Sequence, residues 1–159
     1  MTALLLTGMS GTGKSSVLYE LSARGFTTVD TDTEEWSEWV EDADGSPDWV
    51  WREDRISMLL AAPSAGPVFV AGCKSNQGKF YDRFAEVVLL SAPADVLLAR
   101  IADRSTSDYG KEPEQWSEIV FYLATVEPLL RSTCTVEIDA TRPLIEVTDE
   151  VVRLATAAR

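Results

Sequence analysis

Glycines, a lysine and a serine near the start of the chain stand at the spacing of a phosphate-binding motif. Within the stretch TALLLTGMSGTGKS, every fixed position of G-x-x-x-x-G-K-[ST] is filled, by Gly8, Gly13, Lys14 and Ser15. Glycine lets backbone N–H groups approach a phosphate chain, and the start of the following helix adds the positive end of its dipole. An apolar run at residues 3–6 supplies the strand that the motif requires before it. We predict a phosphate-binding loop at residues 8–15 and call it the P-loop.

The residue types in this loop predict a nucleotide and a magnesium ion as ligands. Lys14 is suited to neutralise the β- and γ-phosphates, and the hydroxyl of Ser15 is suited to bind Mg²⁺. The remaining predicted contacts with the nucleotide come from Gly8, Ser10, Gly11, Thr12, Gly13 and Ser16. We therefore expect ATP and Mg²⁺. The alternative is a glycine-rich turn that binds nothing.

Two further predicted strands end in polar residues. Asp30 and Asp32 follow one of them, and Lys74 and Asn76 follow the other. Because ligands of open α/β sheets bind beyond the carboxyl ends of the strands, these side chains should face the same crevice as the P-loop. The two aspartates are candidates for holding Mg²⁺ through water and for orienting an acceptor hydroxyl. The alternative is that either aspartate caps the next helix.

The hydrophobic pattern predicts strands that alternate with helices. Strands are expected at residues 3–6, 26–29, 67–71, 86–91 and 135–138. Helices are expected at residues 15–24, 33–40, 48–62, 75–84, 93–104, 114–130 and 143–158. Nearly continuous apolar strands separated by helices indicate a parallel sheet covered on both faces. The length of 159 residues suits one α/β domain spanning residues 1–159.

Composition excludes several classes of function. The chain has no histidine, so a Ser-His-Asp triad, a Cys-His pair and a histidine metal site are excluded. A formal net charge of −12 disfavours a nucleic-acid polymer as partner, because that binding requires basic residues. No apolar run is long enough for a membrane span and no leader pattern is present, so we expect a cytoplasmic protein. Cys73 and Cys134 are expected to be reduced thiols. The sequence does not indicate an oligomeric state.

Two segments could cover a bound substrate. Between Arg24 and Arg52 there are nine carboxylates and no basic residue, and four of the five tryptophans fall at residues 36–51. The tryptophans could be core residues, or they could lie over a substrate in an acceptor-binding insertion at about residues 33–62. Residues 104–113 form a polar loop that could be a lid over the nucleotide or an ordinary connection.

The order of these features resembles the P-loop kinases of small molecules and nucleotides, above all the shikimate-kinase-like and nucleoside-monophosphate-kinase-like group. The stretch GCKSNQGKF is also similar to a group of small kinase-like proteins described as AAA family ATPases. The resemblance covers nearly the whole chain. It implies a P-loop NTPase fold with strand order 2-3-1-4-5. It also implies transfer of the γ-phosphoryl group of Mg-ATP to a small-molecule hydroxyl or phosphate.

The resemblance also implies roles for individual residues. Asp30 corresponds to a metal-positioning acid and Asp32 to an acceptor-orienting one. Trp51-Arg52 is similar to the family's Phe-Arg, which makes Arg52 a candidate for an anionic acceptor group. Arginines of the family's lid contact the transferring phosphates, and the family's adenine loop follows the last strand. These two features point to Arg104, Arg100 and Lys111 in the lid and to Arg142 in the loop at residues 139–143.

Departures from the family leave the acceptor open. Gly72-Cys73-Lys74 stands where shikimate kinases have Gly-Gly-Gly, and the lid lacks the dense arginine pattern of adenylate kinases. Shikimate is therefore disfavoured as the acceptor. One alternative function is a nucleoside monophosphate kinase. Another is a nucleotide-dependent ATPase or switch that acts with a protein partner through the acidic segment at residues 30–48.

Overall fold

The chain alternates strands and helices along nearly its whole length. The computed structural model describes residues 2–104 and 110–158. The elements follow in the order β1 (Ala3–Thr7), α1 (Lys14–Ala23), β2 (Thr27–Asp30), β3 (Ser37–Glu41), β4 (Pro47–Trp51), α2 (Glu53–Ala61), β5 (Val68–Ala71), a 3₁₀ helix (Gln77–Arg83), β6 (Glu86–Ser91), α3 (Ala94–Asp103), α4 (Pro113–Thr125), α5 (Glu127–Thr133), β7 (Val136–Asp139) and α6 (Leu144–Ala157).

Five of the strands form one parallel sheet with β1 at its centre. The spatial order is β2-β5-β1-β6-β7, and each neighbouring pair is parallel. When β3 and β4, which lie outside this sheet, are left out of the count, the order is the predicted 2-3-1-4-5. The predicted α/β fold class is therefore confirmed.

The central strand is buried on both of its faces. Leu4 and Leu6 belong to the hydrophobic cluster that includes α1 and α6, whereas Ala3 and Leu5 belong to a second cluster that includes α2 and the 3₁₀ helix. Successive residues of a strand point to opposite faces, so a strand that is apolar at every position requires cover on both. This is why β1 has no polar residue before Thr7.

The insertion after β2 differs from the prediction. Residues 33–40 and 48–52 were expected to be helical, but the segment folds as an antiparallel hairpin of β3 and β4, and α2 begins only at Glu53. Trp39 pairs with Trp49 in the hairpin, with ring centroids 5.1 Å apart. Asp42 closes the turn by accepting the backbone N–H groups of Asp44 and Ser46. Cross-strand aromatic pairs favour a hairpin over a short helix.

Buried hydrogen bonds attach this hairpin to the main sheet. The Thr31 hydroxyl donates to the Ala71 carbonyl at 2.7 Å and accepts the indole N–H of Trp51 at 2.8 Å. The Ser37 hydroxyl donates to the Thr31 carbonyl at 2.5 Å. Thr31, Ser37 and Trp51 are at most 1% exposed, so these bonds form in a region without water. Polar groups buried in this way require partners.

Two other helical segments differ from the predicted bounds. The helix expected at residues 114–130 is divided into α4 and α5 at Val126. Pro128 lies in the first turn of α5, where its missing N–H costs nothing, whereas inside one long helix it would remove a hydrogen bond. The helix expected at residues 75–84 is the shorter 3₁₀ helix. In the part of the chain that the structure describes, no helix has the length and apolar character needed to cross a bilayer.

We expect Thr31→Val to destabilise the protein. Valine keeps the shape of threonine but leaves the buried indole N–H of Trp51 without an acceptor, which costs about 1–3 kcal/mol of unfolding free energy. Urea denaturation measures the effect. The exposed Thr33→Val variant is the matched control, and it should change the unfolding free energy by less than about 0.5 kcal/mol. Equal stability of the two variants would contradict this account of the hairpin's attachment.

Candidate functional site

The P-loop joins β1 to α1 and packs directly on the backbone of β6. Gly8 has a φ of 147°, and a Cβ atom at this position would lie 2.4 Å from the Leu90 carbonyl oxygen. Only glycine fits so close an approach. The N-terminus of α1 has no side-chain cap and no acidic residue in its first turn. Its unpaired N–H groups and dipole can therefore attract a phosphate.

The side chain of Lys14 lies within the P-loop. Its ammonium group donates to the carbonyls of Gly8 at 2.5 Å and Met9 at 3.1 Å. Burial lowers the pKa of Lys14, and the nearby Cys73 and Asp32 oppose this shift only in part. The predicted phosphate ligand would place negative charge next to this ammonium group and favour its protonated form.

The other predicted P-loop residues differ in exposure. Ser10 is half-buried and Ser16 is exposed, whereas Thr12 is buried and its hydroxyl donates to the Met9 carbonyl at 2.9 Å. The backbone N–H of Thr12 also donates to the Met9 carbonyl, at 3.4 Å, so the predicted contact of Thr12 with a nucleotide gains no support from these bonds. Gly11 and Gly13 have φ values of 85° and 92°.

Asp32, Lys74 and Trp49 form a connected group at the carboxyl edge of the sheet. The Lys74 ammonium donates to Oδ1 of Asp32 at 2.6 Å, and the Trp49 indole N–H donates to the same oxygen at 2.9 Å. The Lys74 Nζ atom lies 5.9 Å from the centroid of the Trp49 ring. Burial raises the pKa of Asp32, but the hydrogen bond and charge of Lys74, with the bond from Trp49, outweigh burial and hold the pKa below its ordinary value.

Asp30 and Ser15 supply oxygen atoms near the P-loop. Oδ1 of Asp30 accepts the backbone N–H of Asp32 at 3.0 Å, so Asp30 stabilises a turn and not the start of a helix. Both Asp30 and Ser15 are exposed, and the charge of Asp30 acts on Lys14. Residues 2–104 and 110–158 contain no group of three or more Cys, Asp or Glu residues that could hold a metal by themselves. Mg²⁺ commonly takes one or two protein oxygens together with phosphates and water, and this donor set fits that requirement.

Three predicted site residues have side chains engaged elsewhere. Arg52 donates to the Glu34 carbonyl at 2.9 Å and to the Glu38 carboxylate at 3.4 Å. The Asn76 amide bonds both the N–H and the carbonyl of Trp51, each at 3.0 Å, and thus fixes β4. Arg142 pairs with Glu150 of α6. The contacts of these three side chains are structural, and their predicted roles in binding an acceptor or adenine gain no support from them.

Arg100 and Arg104, two of the basic residues predicted for the lid, stand at the C-terminal end of α3. Arg100 donates to the Ala140 carbonyl at 2.6 Å and to the P-loop carbonyl of Gly11 at 3.4 Å, so it links the P-loop to the loop after β7. Arg104 directly follows α3, and Lys111 is exposed just before α4. The centre of the predicted lid, at residues 105–109, lies outside the described residues.

Carboxylates act on the phenol of Tyr122 in α4. Glu118 lies one turn before Tyr122 in the same helix, and the charge of Asp48 in β4 also reaches the Tyr122 phenol. Burial, followed by the two carboxylates, raises the pKa of Tyr122. Asp48 also accepts a hydrogen bond from the Ser75 hydroxyl at 2.7 Å. This bond connects the hairpin to the loop after β5.

Several residues of the site carry no sequence motif. Gln77 donates to the Thr7 hydroxyl at 3.0 Å and accepts the backbone N–H of Lys74 at 2.9 Å, which fixes the loop that carries Lys74. Thr31 orients the segment between the two aspartates. The clustered tryptophans only partly indicated the site. Trp51 is a core residue, whereas Trp49 contacts the candidate site residue Asp32.

The chain matches one family model over most of its length. The family is described as "AAA domain", and the match covers residues 4–121. The comparison with curated proteins gave no match. The matched region includes the P-loop, the hairpin and α3.

Solved structures of kinases are similar to this chain over nearly its full length. Shikimate kinase from Acinetobacter baumannii in complex with shikimate has 17% identity and a TM-score of 0.68, covering 100% of this chain and 95% of that one. A gluconokinase from Sinorhizobium meliloti has 23% identity and a TM-score of 0.56, with coverage of 98% and 94%. Deoxyadenosine kinase from M. mycoides with bound dATP has 12% identity and a TM-score of 0.63, with coverage of 96% and 98%. Because these sequence identities are low, the structural similarity is evidence for a shared fold only.

We expect Lys74→Met to raise the pKa of Asp32 relative to the unmodified protein. The substitution removes the hydrogen bond and the positive charge that hold this pKa down, while burial continues to raise it. Titration of the Asp32 carboxyl carbon by NMR measures the shift. The control is Lys79→Met, because Lys79 pairs with Glu53 and not with Asp32. An Asp32 pKa unchanged by Lys74→Met would show that this ion pair does not control the carboxylate.

Proposed function

Because the chain belongs to the AAA domain family, we propose that it is a P-loop phosphotransferase that moves the γ-phosphoryl group of Mg-ATP to a small-molecule acceptor. The observation that carries this proposal is the proximity of two groups with different roles. Lys14, in the phosphate-binding loop, lies within the electrostatic reach of Asp32, which stands at the end of a neighbouring strand. A phosphate donor and an acceptor activated by a carboxylate can meet at this edge of the sheet.

The P-loop holds the nucleotide phosphates in this proposal. The uncapped N–H groups of α1 contact them, and Lys14 turns from the carbonyls of Gly8 and Met9 towards the β- and γ-phosphates. Arg100 keeps the loop in place through the Gly11 carbonyl. Catalysis of this kind depends mainly on positioning and electrostatic stabilisation, which explains why a chain without histidine is suited to it.

Magnesium is assigned to Ser15 and Asp30. Both residues are exposed beside the P-loop, and both present hard oxygen atoms. When bound, the ion neutralises charge on the phosphate oxygens. The protein's own part is to hold Ser15 at the first turn of α1 and Asp30 at the end of β2, where its turn with Asp32 fixes it.

Asp32 orients the acceptor hydroxyl for the transfer step. The hydroxyl oxygen attacks the γ-phosphorus while the bond from that phosphorus to the bridging oxygen of ADP breaks, and the hydroxyl proton passes to Asp32. Trp49 and Lys74 both donate hydrogen bonds to Oδ1 of Asp32. We therefore assign the proton to the other carboxylate oxygen, Oδ2. A carboxylate of low pKa accepts the proton late, after most of the phosphoryl transfer, as a loose transition state allows. Arg104 and Lys111 stabilise the charge on the transferring group.

The first test compares the unmodified protein with Lys14→Ala. We expect phosphoryl transfer to fall about 100-fold or more, because the variant loses the cation that stabilises the transferring phosphates. The assay follows ADP release from Mg-ATP with a pooled small-molecule extract, and mass spectrometry identifies any newly phosphorylated compound. Lys79→Ala is the matched control, since Lys79 is exposed and pairs with Glu53 on the surface. It should retain full activity.

Other outcomes of this assay separate the remaining functions. Full activity in Lys14→Ala would contradict the proposal. Slow ADP release that no extract accelerates would favour the nucleotide-dependent switch that acts with a protein partner. A phosphorylated nucleoside monophosphate among the products would instead favour the nucleotide kinase.

A further inference from the structure

Gln77 is a buried residue whose side-chain amide is fully engaged. The residue is only 2% exposed. Its amide oxygen accepts the backbone N–H of Lys74 at 2.9 Å, and its amide nitrogen donates to the hydroxyls of Thr7 at 3.0 Å and Tyr81 at 2.9 Å. An amide nitrogen has two hydrogens, so both donors are used. The amide is held in one orientation, because turning it over would place its NH₂ group against the N–H of Lys74.

One end of this network is attached to the start of the P-loop. Thr7 is the last residue of β1, is completely buried, and directly precedes Gly8. The carbonyl of Gly8 in turn accepts the ammonium group of Lys14. The bond from Gln77 to Thr7 therefore lies one residue from the carbonyl that holds the P-loop lysine.

The other end of the network is attached to the loop after β5. Residues 31–36 and 72–76 follow β2 and β5, and we call them the acceptor side of the crevice. Besides the side-chain bond, the backbone N–H of Gln77 donates to the Lys74 carbonyl at 3.2 Å, so two bonds close the turn at residues 74–77. From this turn the Lys74 ammonium donates to Oδ1 of Asp32 at 2.6 Å. The contact between Lys74 and Asp32 therefore starts from a backbone that Gln77 holds.

The length and neutrality of glutamine suit it to this position. Its amide joins two segments that are 70 residues apart in the chain, because one end accepts a backbone N–H and the other donates to a hydroxyl. A charged side chain here would be buried without an ionic partner in this network, which is unfavourable. An apolar side chain could fill the space but could not bond either segment.

We infer that Gln77 is a positioning residue, which sets the distance between the P-loop and the acceptor side through its bonds to Thr7 and Lys74. The inference rests on the proposed function of the same site. Gln77 acts through Lys74, whose ammonium group contacts Asp32. Phosphoryl transfer needs the reacting atoms about 3–3.5 Å apart, so a small change in this distance slows the transfer step.

The first experiment measures Asp32 in Gln77→Met, which keeps an unbranched side chain but removes the amide. We expect the pKa of Asp32 to rise, as in Lys74→Met, because the turn no longer holds the lysine against the carboxylate. In the double variant the pKa should rise no further than in Lys74→Met alone, since Gln77 acts through Lys74. NMR titration of the Asp32 carboxyl carbon gives both results without any substrate. An unchanged pKa in Gln77→Met, or two shifts that add, would overturn the inference.

Two control variants separate positioning from general loosening of the fold. Tyr81→Phe removes one partner of the amide and leaves both ends of the network bonded. Val151→Ala weakens the core at α6, where Val151 is completely buried. We expect neither control to change the pKa of Asp32, and urea denaturation gives the stability of each variant. A rise in either control equal to that in Gln77→Met would contradict the positioning role.

A second variant covers the case in which Gln77→Met does not fold. Gln77→Asn keeps an amide in the buried position, but its side chain is one carbon too short to bond both Thr7 and Lys74. We expect the pKa of Asp32 to rise in this variant as well. If the shorter amide leaves the pKa unchanged, the inference is wrong.

The second experiment compares phosphoryl transfer with nucleotide binding. With Mg-ATP and the pooled small-molecule extract, we expect Gln77→Met to form the phosphorylated product about tenfold more slowly. The Kd for Mg-ATP, measured by calorimetry, should stay unchanged, because the packing of Gly8 on Leu90 still holds the P-loop. A loss of Mg-ATP binding as large as the loss of product would overturn the inference. No product from the unmodified protein would contradict the proposed function instead, and the titration of Asp32 would still decide whether Gln77 positions it.

Discussion

The contact between the P-loop and the backbone of β6 is the constraint on which the site depends. Gly8 lies so close to the Leu90 carbonyl that a Cβ atom would be 2.4 Å from that oxygen. This packing fixes the start of α1 above the centre of the sheet, because β1 lies between β5 and β6. The loops after β2 and β5 then fall beside the P-loop, since parallel strands end at the same edge. This common edge sets the positions of Asp32, which follows β2, and Lys74, which follows β5.

Thr31 connects this edge to the hairpin that borders the crevice. Its hydroxyl contacts Ala71 and Trp51, and its carbonyl accepts the Ser37 hydroxyl. Buried bonds of this kind hold a single geometry, because each broken bond would leave a polar group without a partner. Asp30 and Asp32 lie on either side of this fixed residue. Their carboxylates are thus positioned by a residue that takes no part in the chemistry.

The two halves of the crevice differ in charge. The phosphate side has the uncapped N-terminus of α1 and the ammonium of Lys14, with Arg100 bonded to the P-loop from behind. On the acceptor side, the one lysine is paired with Asp32. A phosphotransferase must hold an anionic donor and a separate acceptor without confusing them, and opposite charges at the two ends provide that distinction. The same division leaves positive charge at the proposed phosphate site of a chain whose formal net charge is −12.

The sequence by itself determined the P-loop, the five parallel strands and the edge at which the candidate residues meet, because these features depend on local spacing and on strands apolar at every position. Only the tertiary structure decided the hairpin, since short segments with alternating tryptophans and acids fit a helix or a strand until Trp39 and Trp49 pair. It also decided that Arg52 and Asn76 bind the protein itself, and that Lys74 binds Asp32. Partners distant in sequence set these contacts, and no local pattern encodes them.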